Sequence, residues 1–163
     1  MRACTGLIDG SQVTSEKVEQ FHHYWRSKCA ADRLPSRAMI DPVEIPRLLP
    51  YLVMAEIERN PMRVRYRLVG TQVVESNGVD FTNRYLDECN FAVEALLIQC
   101  YRRLVETRAP VFACYEWHKK EWRGSKGAVG ASESGFFPLS TDGETVDLAI
   151  SIADHDVRPS SGG

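Results

Sequence analysis

The chain has 163 residues, of which 44% are hydrophobic and 26% charged, and its net charge is −2. This length favours one domain, with a core large enough to fold without a metal or a disulfide. The small net charge gives no general attraction to nucleic acid or to an anionic membrane. We find neither an apolar run of signal-peptide length at 1–13 nor a segment able to span a bilayer, so we expect a cytoplasmic location.

The cysteines are widely spaced and match no common framework. No two of them form a C-x-x-C pair, and their odd number does not suit a set of disulfides. The pattern therefore favours neither a zinc ribbon nor a disulfide scaffold, and we expect most of these side chains to be small buried apolar residues. The five positions are Cys4, Cys29, Cys89, Cys100 and Cys114.

The first predicted element is an amphipathic helix in the segment 14–34, with Thr14 or Ser15 as its N-cap. Its apolar stripe consists of Val18, Phe21, Trp25 and Cys29. If this helix did not dock on its own domain, the aromatic residues of the stripe would form an exposed patch. We therefore predict Phe21 and Trp25 as the interface of a homodimer.

Two strands follow the helix and form a predicted hairpin. Residues 51–57 read as the first strand, and residues 63–69 alternate strictly between apolar and basic side chains. Val64, Tyr66 and Leu68 share one face, while Arg63, Arg65 and Arg67 share the other. The arginine row fits either a solvated sheet face or a contact for an acidic partner protein.

Helices occupy the middle of the chain. Gly70 ends the second strand, and a short helix over 71–76 stops at Asn77-Gly78. A longer helix is predicted over 90–107, before Pro110. Its apolar face consists of Val93, Leu96, Leu97, Cys100, Tyr101 and Leu104.

The last third alternates like a β-sheet. Strands are predicted at 111–122, 134–139 and 146–152, separated by a glycine-rich connection at 123–130 and a tight turn at 141–143. The predicted order along the chain is two strands, then helices, then three more strands. This order implies an antiparallel sheet with helices gathered on one face.

Four segments carry a family resemblance. They are Ile40-Asp-Pro-Val-Glu-Ile-Pro-Arg-Leu-Leu-Pro50, Tyr66-Arg-Leu-Val-Gly-Thr71, Gly78-Val-Asp-Phe-Thr-Asn-Arg-Tyr-Leu-Asp-Glu88 and Phe137-Pro-Leu-Ser-Thr-Asp-Gly143. From Phe21 to Ala153 the chain resembles the PAS-like domains found as small stand-alone proteins in alphaproteobacteria. One departure is Asn83, where similar sequences tend to have Gly, and Asn tolerates the left-handed conformation such a turn needs.

The resemblance implies an α+β, PAS-like fold. Its sheet would have five antiparallel strands in the order 2-1-5-4-3, with helices over one face and the amphipathic helix in front. The expected organisation is a flexible arm at 1–13, the helix at 14–34, the PAS-like domain at 35–157 and a flexible tail at 158–163. It also implies a sensory or regulatory role without catalysis.

No cofactor motif accompanies this fold. The residues 90–107 contain no His that could serve as an axial haem ligand, although Cys100 or Tyr101 could ligate in principle. Cys89-Asn90 has the reverse of the order typical of flavin photochemistry, and no His, Asp or Glu spacing resembles a metal site. The glycine-rich connection lacks the phosphate-binding pattern. No nucleophile motif is present, so we expect no enzyme.

The leading hypothesis is a sensory module that binds a small molecule of unknown identity, a signalling partner protein, or both, and has no output domain of its own. Its pocket would be lined by Tyr66, Leu68, Leu97, Tyr101, Tyr115, Trp117 and Ile150. The same residues also suit a dry core, which would make the chain a pure protein-interaction domain. An α+β enzyme is the third alternative. No contact with nucleic acid or membrane is expected.

Overall fold

A six-stranded antiparallel sheet organises the chain. The computed structural model describes residues 5–118 and 129–157. The strands are β1 (Gly6–Ile8), β2 (Leu52–Glu58), β3 (Arg63–Val69), β4 (Val111–His118), β5 (Val129–Leu139) and β6 (Leu148–Val157). The helices are α1 (Glu16–Lys28), α2 (Thr71–Asn77) and α3 (Glu94–Thr107). Short 3-10 helices lie at Gly10–Gln12, Arg37–Met39, Pro42–Glu44, Leu49–Tyr51 and Leu86–Glu88. None of the helices in these ranges is long and apolar enough to cross a membrane.

The sheet order is β1-β4-β5-β6-β2-β3. The predicted number of five strands is wrong, because a sixth strand lies at the β4 edge and extends the predicted order. When β2 to β6 are numbered as the five predicted strands, they follow the predicted order 2-1-5-4-3. The sixth strand is Gly6–Ile8, which pairs with Phe112–Cys114 although we expected 1–13 to be a flexible arm. An edge strand presents unpaired N–H and C=O groups, so even a three-residue segment finds partners there. So short a strand has no recognisable sequence period.

Helices cover both faces of the sheet, which corrects the prediction that they gather on one. We call the face under α3 the inner face and the face under α1 the outer face. In β2, Val53 and Ala55 belong to the inner apolar cluster, whereas Leu52 and Met54 belong to the outer one. A strand that is apolar on both sides must be covered on both sides.

The outer cover is α1, which packs on β5 and β6. Phe21 is fully buried and Trp25 is 7% exposed. The ring of Phe137 on β5 lies 5.0 Å from that of Phe21 and 5.9 Å from that of Trp25. The two predicted interface residues are therefore buried within their own chain, because the helix docks on its own sheet.

Close approach of α1 depends on Gly135. A Cβ placed there would lie 3.0 Å from Cγ1 of Val18 and 2.8 Å from a ring carbon of Phe137. The helix ends at Lys28, short of the predicted segment 14–34, and belongs to the same folded unit as the sheet.

Two buried carboxylates hold the start of α1. Glu133 accepts hydrogen bonds from the backbone N–H of Thr14 at 2.9 Å and of Ser15 at 2.8 Å. Asp154, its neighbour on β6, accepts one from the Ser15 hydroxyl at 2.5 Å. Negative charge is favourable beside the N-terminus of a helix. The N-cap predicted from the sequence thus also anchors the helix to the sheet.

A β-bulge interrupts the β2–β3 pair. Met54 lies opposite Leu68, and the next residue, Ala55, lies opposite Tyr66, so Arg67 is the extra residue. The bulge reverses the alternation predicted for 63–69. Tyr66 consequently joins the inner cluster, whereas Leu68 lies on the outer side of the sheet.

The arginine row of β3 is largely paired within the chain. Arg63 contacts Asp87 at 2.9 Å, and Arg67 contacts Glu56 at 3.0 Å. The third member, Arg65, lies 5.9 Å from the ring of Tyr85, and its Nε is buried without a hydrogen-bond partner among the described residues.

The cysteines behave differently from one another. Among the described residues, Cys29, Cys89 and Cys100 are free thiols, and Cys100 is fully buried. Cys114 is disulfide-bonded, which the sequence analysis did not anticipate. The tail at 158–163 and most of the glycine-rich connection lie outside the described residues.

The carboxylate contacts at the start of α1 can be tested by substitution. We expect Glu133→Ala to lower the free energy of unfolding by about 1–3 kcal/mol, because it leaves the buried N–H of Ser15 and the part-buried N–H of Thr14 without an acceptor. Urea unfolding measures the effect, with Glu116→Ala on the exposed face of β4 as the matched control. Equal effects of the two substitutions would contradict this account.

Candidate functional site

An interior cavity of about 50 Å³ lies between α3 and the inner face of the sheet. Small side chains create it. Ser134 on β5 and Ser151 and Ala153 on β6 line the cavity together with the large ring of Tyr101 on α3. Because small residues stand where neighbouring strands carry large ones, the sheet does not fill the space beneath the helix.

Aromatic rings close one end of the cavity. Tyr66 on β3 packs edge-to-face on Phe81, with ring centroids 4.6 Å apart, and Phe81 packs in the same way on Phe91 at 5.1 Å. Phe136 packs on Tyr101 at 5.3 Å. Such tilted pairs hold their rings in fixed orientations, so the wall has a defined shape.

Polar groups converge on the cavity from five elements. Tyr115 on β4 shares a hydrogen bond of 2.8 Å with Ser134, in which either hydroxyl is the donor. Nδ1 of His155 lies 2.7 Å from the hydroxyl of Ser132. The phenol groups of Tyr66 on β3 and Tyr101 on α3 also line the space. The cavity is thus apolar in its walls and equipped with several hydrogen-bonding groups.

Burial keeps the phenol groups neutral. It raises the pKa of Tyr115 to about 12 and the pKa values of Tyr66 and Tyr101 well above their usual range. Contacts with the hydroxyls of Tyr66 and Ser151 partly oppose the effect at Tyr101. At neutral pH these groups therefore serve as hydrogen-bond donors and acceptors and not as charges.

The thiol of Cys100 on α3 is also unreactive. Burial raises its pKa to about 12, so the nucleophilic thiolate is scarce at neutral pH.

The structure brings together four of the predicted pocket residues, namely Tyr66, Leu97, Tyr101 and Tyr115. Two others lie on the opposite side of the sheet. Leu68 lies there because of the bulge, and Ile150 because the inner face of β6 carries the small residues of the strand. The side chain of Trp117, the remaining predicted residue, lies outside the described part of the structure.

Several lining residues were missed by the sequence analysis. They are Val53, Val73, Phe81, Phe91, Ser134, Phe136, Ser151, Ala153 and His155. The serines did leave a signal, because a Ser between bulky residues of a strand marks a place where a core is loosely filled. Phe81 and Phe91 come from loops, whose side-chain directions no period predicts.

The cavity is small compared with cofactors. A cavity of roughly 150 Å³ is needed to hold benzene, and this one has about 50 Å³. In this conformation it has no room for a haem or a flavin. Within 5–118 and 129–157, no three His, Cys, Asp or Glu side chains cluster as metal ligands would.

The empty volume can be probed with a matched pair of substitutions on β6. Ala153 lines the cavity, whereas Ala149 lies on the same face in the close-packed core. We expect Ala153→Val to leave the melting temperature nearly unchanged, and Ala149→Val to cost about 1–3 kcal/mol through overpacking. If Ala153→Val destabilised the protein as much as Ala149→Val, the space would not be available.

Burial of the phenol groups predicts a loss of stability at alkaline pH. The pKa of Tyr115 is 10.0 when exposed and about 12 in the folded protein. Between these values the unfolded chain releases a proton that the folded chain keeps, so stability falls as pH rises. Tyr115 alone contributes ~2–3 kcal/mol to this loss in the free energy of unfolding.

Urea unfolding below pH 10 and near pH 12 measures this loss, and Tyr115→Phe is expected to reduce its size. Burial also raises the pKa values of Tyr66, Tyr101 and Cys100, which therefore lower stability at alkaline pH as well. Some of the stability loss consequently remains in the Tyr115→Phe variant. An undiminished loss in Tyr115→Phe would refute the assignment.

The comparisons with known proteins agree with this architecture. No curated protein matches the chain. Among solved structures, the chain is similar to the PAS domain of BvgS from Bordetella pertussis, with 18% identity over 73% of this chain and 88% of that one, at a TM-score of 0.41. A family model described as a PAS domain matches residues 13–147, from just before α1 to the residue that precedes β6. The chain therefore belongs to the PAS domain family.

Proposed function

We propose that this chain is a sensory or regulatory module that binds a small molecule in its inner cavity. PAS domains are generally sensory modules without catalytic activity. The proposal is supported chiefly by the convergence of hydrogen-bonding side chains from four strands and one helix on one cavity. Burying polar groups is costly, and an apolar core would need none of them.

The lining specifies a chemical class of ligand. Among the described residues the lining contains no Asp, Glu, Lys or Arg side chain, its phenols are held neutral, and the imidazole of His155 is hydrogen-bonded to Ser132. An ion would lose its hydration without gaining a counter-charge, so an uncharged ligand fits best. Such a ligand would be compact and would carry one or two oxygen or nitrogen atoms for the phenols and serines.

Helix α3 connects the inner cavity with the protein surface, so a bound ligand would affect the surface by moving this helix. The helix contributes Leu97 and Tyr101 to the lining, and its other side is solvated. A ligand larger than the present volume would push α3 away from the sheet. The module would then report occupancy as a displacement of this helix towards a partner protein.

The ligand test begins with native mass spectrometry of the freshly purified protein, followed by melting-temperature measurements with a panel of small neutral amides, alcohols and esters. We expect a co-purified molecule or a stabilising compound. Its affinity should fall about twofold to tenfold in Tyr101→Phe, because one neutral hydrogen bond is lost. Tyr51→Phe, outside the cavity, is the matched control.

The proposal fails if no panel compound stabilises the protein and no molecule co-purifies. It also fails if Tyr101→Phe and Tyr51→Phe weaken binding equally, because the cavity would then not be the site.

The alternative is a protein-interaction domain with a filled core. The volume of about 50 Å³ favours it, since that space is close to what ordinary packing leaves. Under this alternative, cavity substitutions such as Ser151→Ala would alter stability but would leave every binding property of the surface intact.

The homodimer also remains a proposal, and it must use a surface other than Phe21 and Trp25, which are buried. Sedimentation equilibrium over a concentration series measures it directly. Truncation of α1 would not be informative, because removing the helix uncovers the outer cluster.

A further inference from the structure

A second and larger cavity lies on the outer face of the sheet. It has a volume of about 490 Å³ and is bounded on one side by the segment 37–42 and on the other by strands β2, β3 and β6. This volume lies within the roughly 300–1,000 Å³ typical of small-molecule sites. We call it the outer pocket.

The floor of the outer pocket is a row of apolar side chains on three adjacent strands. Met54 on β2 lies opposite Ile150 on β6 and opposite Leu68 on β3. All three line the pocket. Leu68 is available for the row only because of the bulge at Arg67, which moves it from the inner to the outer side. The row therefore exists because the register between β2 and β3 shifts at the bulge.

The cover over this part of the sheet is thin. Helix α1 packs on β5 and β6, whereas the segment that faces the row consists of short 3-10 turns. Leu68 remains 44% exposed at one end of the row. On the covering segment Met39 is 50% exposed and Val43 is 83% exposed. Among the described residues, these are three of the four large apolar side chains that are exposed.

One cation stands at the rim of the pocket. Arg37 lines it and is exposed to solvent, and among the described residues it forms no ion pair. Lys28 contacts Glu44 at 2.9 Å and Arg67 contacts Glu56 at 3.0 Å, whereas Asp41, between Ile40 and Pro42, accepts a hydrogen bond from the backbone N–H of Val43. The pocket thus combines an apolar floor with one guanidinium group that is free to bind an anion.

We propose that the outer pocket binds a small amphipathic anion. The apolar part of the ligand lies along the row of Ile150, Met54 and Leu68, and its carboxylate or sulfonate accepts hydrogen bonds from Arg37. This site is separate from the inner cavity and does not depend on the function proposed for it. The inner cavity is neutral and about a tenth of the volume, so the two sites select different molecules.

The enclosed volume favours a small ligand over a protein partner. A protein docking on the exposed side chains would cover Met39 and Val43 from outside and would leave the space above Met54 empty. A ligand with an aliphatic chain fills that space and covers Leu68, the exposed part of the floor, since Met54 and Ile150 are already buried. Burial of the ligand's own chain is then the larger favourable term.

The test uses anilinonaphthalene sulfonate as a fluorescent probe, with decanoate and decyltrimethylammonium as competitors that share a chain but carry opposite charges. We expect one probe molecule to bind per chain, with enhanced fluorescence. Decanoate should displace it at a concentration about fivefold lower than the cationic competitor needs, the ratio appropriate to an exposed ion pair.

Variants locate the site. Arg37→Gln should weaken probe and decanoate binding about fivefold, and Leu68→Glu should weaken probe binding further, because it places a negative charge on the floor beside an anionic ligand. Arg102→Gln on the exposed side of α3 and Ala153→Val in the inner cavity should have no effect. Melting curves of each variant verify that the fold is unchanged.

Several results would overturn the proposal. They are equal displacement by the two competitors, equal effects of Arg37→Gln and Arg102→Gln, or loss of probe binding in Ala153→Val. A change in sedimentation in Arg37→Gln or Leu68→Glu, with probe binding unaltered, would assign the surface to a protein contact instead.

Discussion

The central strands of the sheet are apolar on both faces, and this constraint decides most of the structure. In β2, Val53 and Ala55 require cover on one side while Leu52 and Met54 require it on the other. Helix α3 supplies the inner cover and α1 the outer one. The aromatic residues of α1 are therefore buried against the sheet, as the contact between Phe21 and Phe137 shows. Sequence alone could not distinguish an apolar stripe used for this purpose from one used for dimerisation.

Local deviations from regular structure create the two cavities. The bulge at Arg67 moves Leu68 across the sheet and completes the floor of the outer pocket. The small residues Ser151 and Ala153 leave space under α3 and create the inner cavity. The two cavities therefore differ in origin, in size and in the charge of the residues that line them.

Much of the fold was predictable because it follows from long periodic segments. The N-cap at Ser15, the stop of α2 at Gly78 and the end of α3 at Thr107 follow from known capping and periodicity rules, whereas α3 begins at Glu94 and not at the predicted residue 90. The sheet edge at Gly6–Ile8 was not predictable, because three residues have no period. The site was predicted in part. Tyr66 and Tyr101 were placed correctly, but Ile150 was assigned to the wrong face, since large residues were assumed to point inward.

The central claim is that the sheet separates two sites and that the bulge decides which site Leu68 serves. Nuclear Overhauser contacts of the Leu68 methyl groups test it most directly. The structure predicts contacts with the side chains of Met54 and Ile150, since all three line the outer pocket. Contacts between Leu68 and the ring of Tyr101 would contradict the account, because they would return Leu68 to the inner cavity and remove the floor of the outer pocket.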